Sequence, residues 1–325
     1  VMGCGGSSPS SSGRDAIAGI AVARQQDAAS SKAASGSGEC SGVAPRDFGR
    51  DPMCADSGFR RTDILPFANW AGRKYSDDML TTANLTALFG RSVCATVDGD
   101  ICTLTNGAVD FLHNLEKAYL NGRCEGMVVM ASLLASKAVA LDAVDPSAES
   151  SSAVDPDTAA LQKAIGYWWT TQYSTDVGDA TGKIRKKGLK EVIRQLQVNL
   201  SNGTFATMGL YYKGLGHALL PVGLMRGPDG AFKVVVYDSN LPDVFATVDV
   251  DLATDTWTYR FGAQNGDADA HVWTGTSGDI DLTPMTSRAA QSKCIYCEDK
   301  SASDVTVRLQ ELPIEGRDAI ESTYG

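Results

Sequence analysis

Three short words along the chain carry the residue types of a nucleophile, a base and an orienting acceptor. Asn121-Gly122-Arg123-Cys124-Glu125-Gly126-Met127 comes first, then Gly216-His217-Ala218, then Tyr237-Asp238-Ser239-Asn240. A thiol attacks an acyl carbon as its thiolate, so its ordinary pKa of about 8.5 has to fall, which a helix N-terminus and an adjacent imidazolium both promote. Cys124 opens an apolar stretch of helical length. Gly122 and Gly126 leave room beside it for backbone and substrate, and its own amide is one candidate donor to an oxyanion. Glu125 opposes a thiolate unless its carboxylate points away. His217 is the candidate general base and acid, Asp238 the candidate carboxylate that holds the imidazole tautomer, and Asn240 an alternative or assisting orienter.

Bringing these residues together requires a helix start and a hairpin. Apolar spacing predicts helices over Asp77–Leu88 and Ala108–Leu120, the second stopped by Asn121-Gly122. A helix from Cys124 to about Leu141 is apolar nearly all round and therefore buried. Asp145 to Asp157 reads as a surface loop, followed by helices over Thr158–Tyr173 and Lys183–Leu200. From Thr204 the period becomes that of strands, over Phe205–Tyr212, His217–Met225, Phe232–Tyr237, Phe245–Leu252 and Thr256–Phe261. Gly227-Pro228-Asp229-Gly230 lies near the midpoint between His217 and Asp238, so an antiparallel hairpin would return both to one sheet edge. Helices first and strands last is an α+β arrangement: a helical lobe over 43–203, an antiparallel β lobe over 204–285 and a C-terminal extension over 286–325.

With these words in hand, the chain resembles the papain-like cysteine peptidases from about Ala108 to Trp273. The words Gly-x-Cys-x-Gly-Met, Gly-His-Ala and Tyr-Asp-x-Asn occur in the order Cys, His, Asp or Asn. The resemblance implies a cysteine at a helix start facing a β lobe that carries the other two residues. It also implies hydrolysis of peptide or amide bonds through an acyl-enzyme, with no cofactor or metal and a peptide or protein as substrate. A transglutaminase-type acyl transferase would use the same residues. The family's glutamine shortly before the cysteine is missing. The nearest amides are Asn121 and Asn114, and Asn121 is the candidate oxyanion donor. Arg123 at the position before the cysteine and Ser239, where related sequences often carry Pro, are further departures. They motivate the alternative of a catalytically inactive cell-surface binding protein.

The 325 residues are 43% hydrophobic, enough for one large core or two modest ones. With 39 Asp and Glu against 29 Lys and Arg, the net charge is -10, which opposes binding to nucleic acid or anionic lipid. The basic cluster Lys183 to Lys190 reads as the solvated start of an amphipathic helix. His113 and His271 read as structural or solvated, and the tryptophans as core or cleft walls rather than a carbohydrate platform.

Eight cysteines point to an exported protein. Val1-Met2-Gly3-Cys4 resembles the end of a bacterial lipoprotein signal, with Cys4 as the lipidated residue. Residues 1–42, rich in Ser, Gly and Ala, read as a flexible tether, because so little apolar surface cannot offset the entropy of ordering. The expected localisation is the bacterial cell envelope through that anchor, or secretion. Six cysteines besides Cys4 and Cys124 fall into local pairs, and their spacing suggests Cys40 with Cys54, Cys94 with Cys102, and Cys294 with Cys297. A zinc site at Cys294-Ile295-Tyr296-Cys297 needs a second ligand pair at similar spacing, and none follows it.

Overall fold

The computed structural model describes residues 53–242, 244–260, 272–288 and 291–297. They form an α+β body in which helices pack on a curled antiparallel sheet. The expected tether, Cys4, Cys40 and His271 lie outside the described residues.

After a first strand, β1 (Met53–Asp56), the helical lobe is built from α1 (Thr82–Phe89), a small hairpin of β2 (Cys94–Asp98) and β3 (Ile101–Leu104), α2 (Asn106–Tyr119), α3 (Cys124–Ala135) and α4 (Ala159–Thr170). The Thr105 hydroxyl caps α2 by accepting from the Ala108 N–H at 3.1 Å. The α3 helix is shorter than the apolar run suggests. Lys137 adopts a left-handed φ of 58°, and the Ala138 and Val139 N–H groups fold back onto the Leu133 carbonyl, which closes the helix as αL caps do. The segment expected as one helix over Lys183–Leu200 is two, α5 (Thr175–Arg185) and α6 (Leu189–Ser201), parted at Gly188 with φ 82°. The basic cluster therefore spans the break instead of heading a single helix.

The remaining strands are β4 (Ala206–Tyr212), β5 (Leu215–Arg226), β6 (Phe232–Tyr237), β7 (Phe245–Asp251), β8 (Thr256–Arg260), β9 (Val272–Thr276) and β10 (Ile280–Pro284). Their order is β10-β4-β5-β6-β7-β8-β9, with β1 also paired to β5. Tyr212 on β4 stacks on Trp273 on β9 with ring centroids 5.7 Å apart, so the sheet curls until strands far apart in its order meet. Strand β5 separates two cores. Ala218, Leu220 and Val222 face a core shared with α3 and α4, whereas Leu219 and Leu224 enter the core between the sheet and α6. Burying each such Leu or Val contributes about 1.5–3 kcal/mol.

A 3-10 turn, Met285–Arg288, follows β10, and residues 291–297 return to the helical lobe. There the Ser292 N–H donates to the Leu88 carbonyl at 3.0 Å, Thr105 Oγ1 donates to the Cys297 carbonyl at 3.1 Å, and Tyr296 stacks on Phe111. Cys94 pairs with Cys102 and Cys294 with Cys297 as disulfides. Cys54 is disulfide-bonded as well; its expected partner, Cys40, lies outside the described residues. Cys124 is the free cysteine among the described residues.

Candidate active site

Cys124 is the first residue of α3, and the chain is forced into position just before it. Gly122 takes φ +152°, a conformation that favours glycine, and a Cβ there would stand 3.3 Å from Asn69 Nδ2, so a side chain would also press on Asn69. Arg123 then turns fully inward. Its guanidinium lies 2.7 Å from Asp78 Oδ1, with both side chains 0% exposed. It also donates to the Trp70 carbonyl at 3.0 Å and sits over the rings of Trp70 and Tyr119. Trp70 Nε1 donates to the second Asp78 oxygen at 2.7 Å. Arg123 therefore anchors the helix start through a buried ion pair, with Nε donating to Asp78 Oδ1 at 2.8 Å. The first intrahelical bond begins at the Met127 N–H, donated to the Arg123 carbonyl, so the amides of Cys124, Glu125 and Gly126 keep the donor character of a helix N-terminus.

His217 and Asp238 come from β5 and from the residue just past β6. The strands pair antiparallel from Leu220↔Tyr237 to Arg226↔Phe232, and the Gly227 N–H closes the turn by donating to the Ala231 carbonyl at 2.8 Å. Alternation places Leu219 and Val236 in the same core, so His217 and Asp238, each two positions further along, share that face. His217 Nε2 lies 2.7 Å from Asp238 Oδ1. Asp238 is wholly buried; the Asn240 N–H donates to Oδ1 at 2.8 Å, and the Tyr259 hydroxyl donates to Oδ2. The Cys124 side chain is hydrogen-bonded to the same imidazole. Because Nε2 serves Asp238, Nδ1 is the nitrogen that serves the thiol.

The electrostatics follow from burial set against pairing. Burial alone would depress the His217 pKa, but the Asp238 carboxylate and the Cys124 sulfur outweigh it and raise the imidazole to about 10. Burial alone would raise Asp238, yet the imidazole, the Tyr259 hydroxyl and the Asn240 N–H hold its carboxyl below the usual range. The charged imidazolium is thus the favoured form beside the sulfur, the arrangement that stabilises a thiolate.

Two sequence expectations change. Gly126 does not make room for substrate: a Cβ there would fall 2.2 Å from the Ile165 carbonyl oxygen and 2.9 Å from Trp169 Cβ, so it lets α3 and α4 pack closely. Glu125 does not oppose the thiolate, because its carboxylate turns away to pair with buried Arg288 and accepts from Thr207 Oγ1 at 3.1 Å. Arg288 also donates to Thr171 Oγ1 at 2.7 Å.

Asn121 is half-buried, and its side chain makes no hydrogen bond among the described residues. Asn114 donates to the Asp110 carbonyl within α2. Asn240 reaches the site, its side-chain nitrogen 3.3 Å from His217 Nε2. His113 is exposed, and Trp168, Trp169 and Trp257 are core.

Asn69, Tyr259 and Arg288 escaped the sequence reading. Asn69 Oδ1 accepts from the Arg123 N–H at 2.7 Å, its Nδ2 donates to Asn240 Oδ1 at 3.1 Å, and its own N–H donates to the Ser239 carbonyl at 2.8 Å. No local pattern marks these three residues: Asn69 and Arg288 act across long stretches of chain, and Tyr259 reads locally as an ordinary strand aromatic. No group of His, Cys, Asp and Glu able to hold a metal occurs among the described residues, and no described helix is long and apolar enough to cross a membrane. Comparison of the chain with family models, with curated proteins and with solved structures returned no match.

Proposed function

We propose that this protein is a papain-like thiol hydrolase that cleaves peptide or amide bonds through an acyl-enzyme on Cys124. The observation that carries this reading is one imidazole engaged on one side by the Cys124 thiol and on the other by the buried Asp238 carboxylate. The nucleophile belongs to the helical lobe and the other two to the sheet, as the papain-like arrangement requires. Arg123 and Glu125, the neighbours that argued for an inactive binding protein, are both engaged in ion pairs of their own.

Cys124 Sγ, as thiolate, adds to the carbonyl carbon of the substrate, and the carbonyl oxygen becomes an oxyanion. The Cys124 N–H at the start of α3 donates to it, with the Asn121 side chain as the candidate second donor. As the C–N bond breaks, His217 Nδ1–H gives its proton to the leaving amine. A water molecule then passes a proton back to Nδ1 and attacks the thioester, and the acid product leaves with the thiolate restored. Asp238 keeps the ring in one orientation and stabilises its charged form throughout. The substrate is a peptide or protein at the cell envelope, reached through a lipid anchor on Cys4 or by secretion.

A peptidyl epoxide followed by intact-mass analysis tests the reading. One adduct on Cys124, absent in Cys124→Ala and strongly reduced in His217→Ala, is the expected result. Adduct levels no higher than those of an exposed model thiol would favour the binding protein. Product analysis with water and an added amine as competing acceptors separates hydrolase from acyl transferase.

A further inference from the structure

We infer that Asn69 is a positioning residue that dictates, through Asn240, which acceptor holds the His217 Nε2 proton; this rests on the proposed thiol chemistry. The argument is one of hydrogen-bond polarity. The backbone N–H of Arg123 is a donor only, so the Asn69 atom 2.7 Å from it has to be the carbonyl oxygen. The Asn69 amide nitrogen then faces Asn240 and donates across 3.1 Å, which obliges Asn240 to present Oδ1 to Asn69. Asn240 is left with its NH2 group toward His217 Nε2, 3.3 Å away. An amide NH2 cannot accept a proton. The acceptor for Nε2–H is therefore Asp238 Oδ1 at 2.7 Å, and the Asn240 amide disfavours any swing of the ring away from it.

Two further contacts lock Asn69 itself. Its N–H donates to the Ser239 carbonyl at 2.8 Å, and Gly122 opposes it without a side chain. The residue before the nucleophile is thereby tied to the turn that carries both Asp238 and Asn240, so one amide couples the start of α3 to the orientation of the base.

Asn69→Asp reverses the polarity, because a carboxylate accepts from Arg123 and from Asn240 alike. Asn240 must then rotate its amide and offer Oδ1 to His217. Two readouts test this. Nuclear Overhauser contacts between the Asn240 side-chain NH2 protons and the His217 ring, present in the wild type, disappear in Asn69→Asp; their persistence would overturn the inference. This arm requires no catalysis, so it stands or falls apart from the enzymatic reading. In the second arm, Asp238→Ala lowers the rate of Cys124 alkylation at pH 6, and adding Asn69→Asp restores it by roughly tenfold, the scale of one recovered hydrogen bond to a charged group. Further addition of Asn240→Ala removes the recovery, which separates a new acceptor from the mere presence of another carboxylate. No recovery, or recovery that survives loss of Asn240, overturns the inference. Should Asp238→Ala fail to fold, the Overhauser arm decides alone. Ordinary wild-type thiol reactivity would sink the proposed activity and leave that arm intact.

Discussion

Tyr259 donates its hydroxyl hydrogen bond to Oδ2 of Asp238 while His217 occupies Oδ1, so both oxygens of a wholly buried carboxylate are engaged from opposite sides. The carboxylate remains ionised in an apolar surrounding because the imidazole, the phenol and the Asn240 N–H together replace its lost hydration. Tyr259→Phe removes one of these donors without changing the ring packing. Unfolding in urea should show a loss of about 1–3 kcal/mol, the cost of an unsatisfied buried acceptor.

The raised pKa of His217 has a consequence for stability. Its folded value, about 10, lies above the ordinary 6.5. The native imidazole therefore holds a proton that the unfolded one has lost, and taken alone its stability is complete below about pH 6.5 and disappears as pH rises toward 10. In the proposed imidazolium–thiolate pair the unfolded chain keeps on its thiol the proton it has lost from the imidazole, so the alkaline fall in ΔG of unfolding, up to about 1.4 kcal/mol per unit, sets in only above the ordinary thiol pKa of about 8.5 and ends near pH 10. Asp238 acts in the opposite window, its contribution lost as acid protonates the carboxylate. Chemical unfolding at several pH values should show the alkaline slope in the wild type and a flatter profile in His217→Gln. Equal slopes would remove the link to His217.

The Arg123–Asp78 pair is 0% exposed on both sides, so removing either partner strands a charge in the interior. Arg123→Met and Asp78→Leu should each cost about 3–5 kcal/mol. The double replacement should cost clearly less than the sum, since no lone charge remains. Additive losses in thermal or urea unfolding would mean that the two residues act independently.

Gly126→Ala brings a methyl group to 2.2 Å from the Ile165 backbone oxygen. Backbone cannot move aside as a flexible side chain can, so α3 and α4 must separate, at a cost of about 1–3 kcal/mol or more. A lowered melting temperature is expected. An unchanged one would show that the two helices tolerate a wider spacing.

Much of this arrangement is legible in the residue pattern. The break of period at Thr204, the turn at Gly227–Gly230 and the order Cys124, His217, Asp238 all rest on local signals, and the strands β4 to β8 fall within a residue or two of their expected limits. Misread elements have physical causes. The break at Gly188 lies within a continuous amphipathic stripe. The β2–β3 hairpin turns on Gly99-Asp100, a turn signal embedded in a segment too polar to look like sheet. Strand β1 is four residues long and gains its pairing from β5, far along the chain. The partners that complete the site were invisible for the same reason: Arg288 meets Glu125 and Asn69 meets Asn240 across separations of 163 and 171 residues. Local pattern names the reacting groups, and tertiary contact decides their surroundings.

In the proposed mechanism His217, held by Asp238, takes the proton of Cys124, and the pH dependence of Cys124 alkylation by iodoacetamide measures this directly. Cys124 should react at pH 6 at least about tenfold faster than an ordinary thiol of pKa about 8.5, and His217→Ala should abolish that excess. A rate at pH 6 no greater than that of a free thiol, and indifferent to the loss of His217, would contradict it.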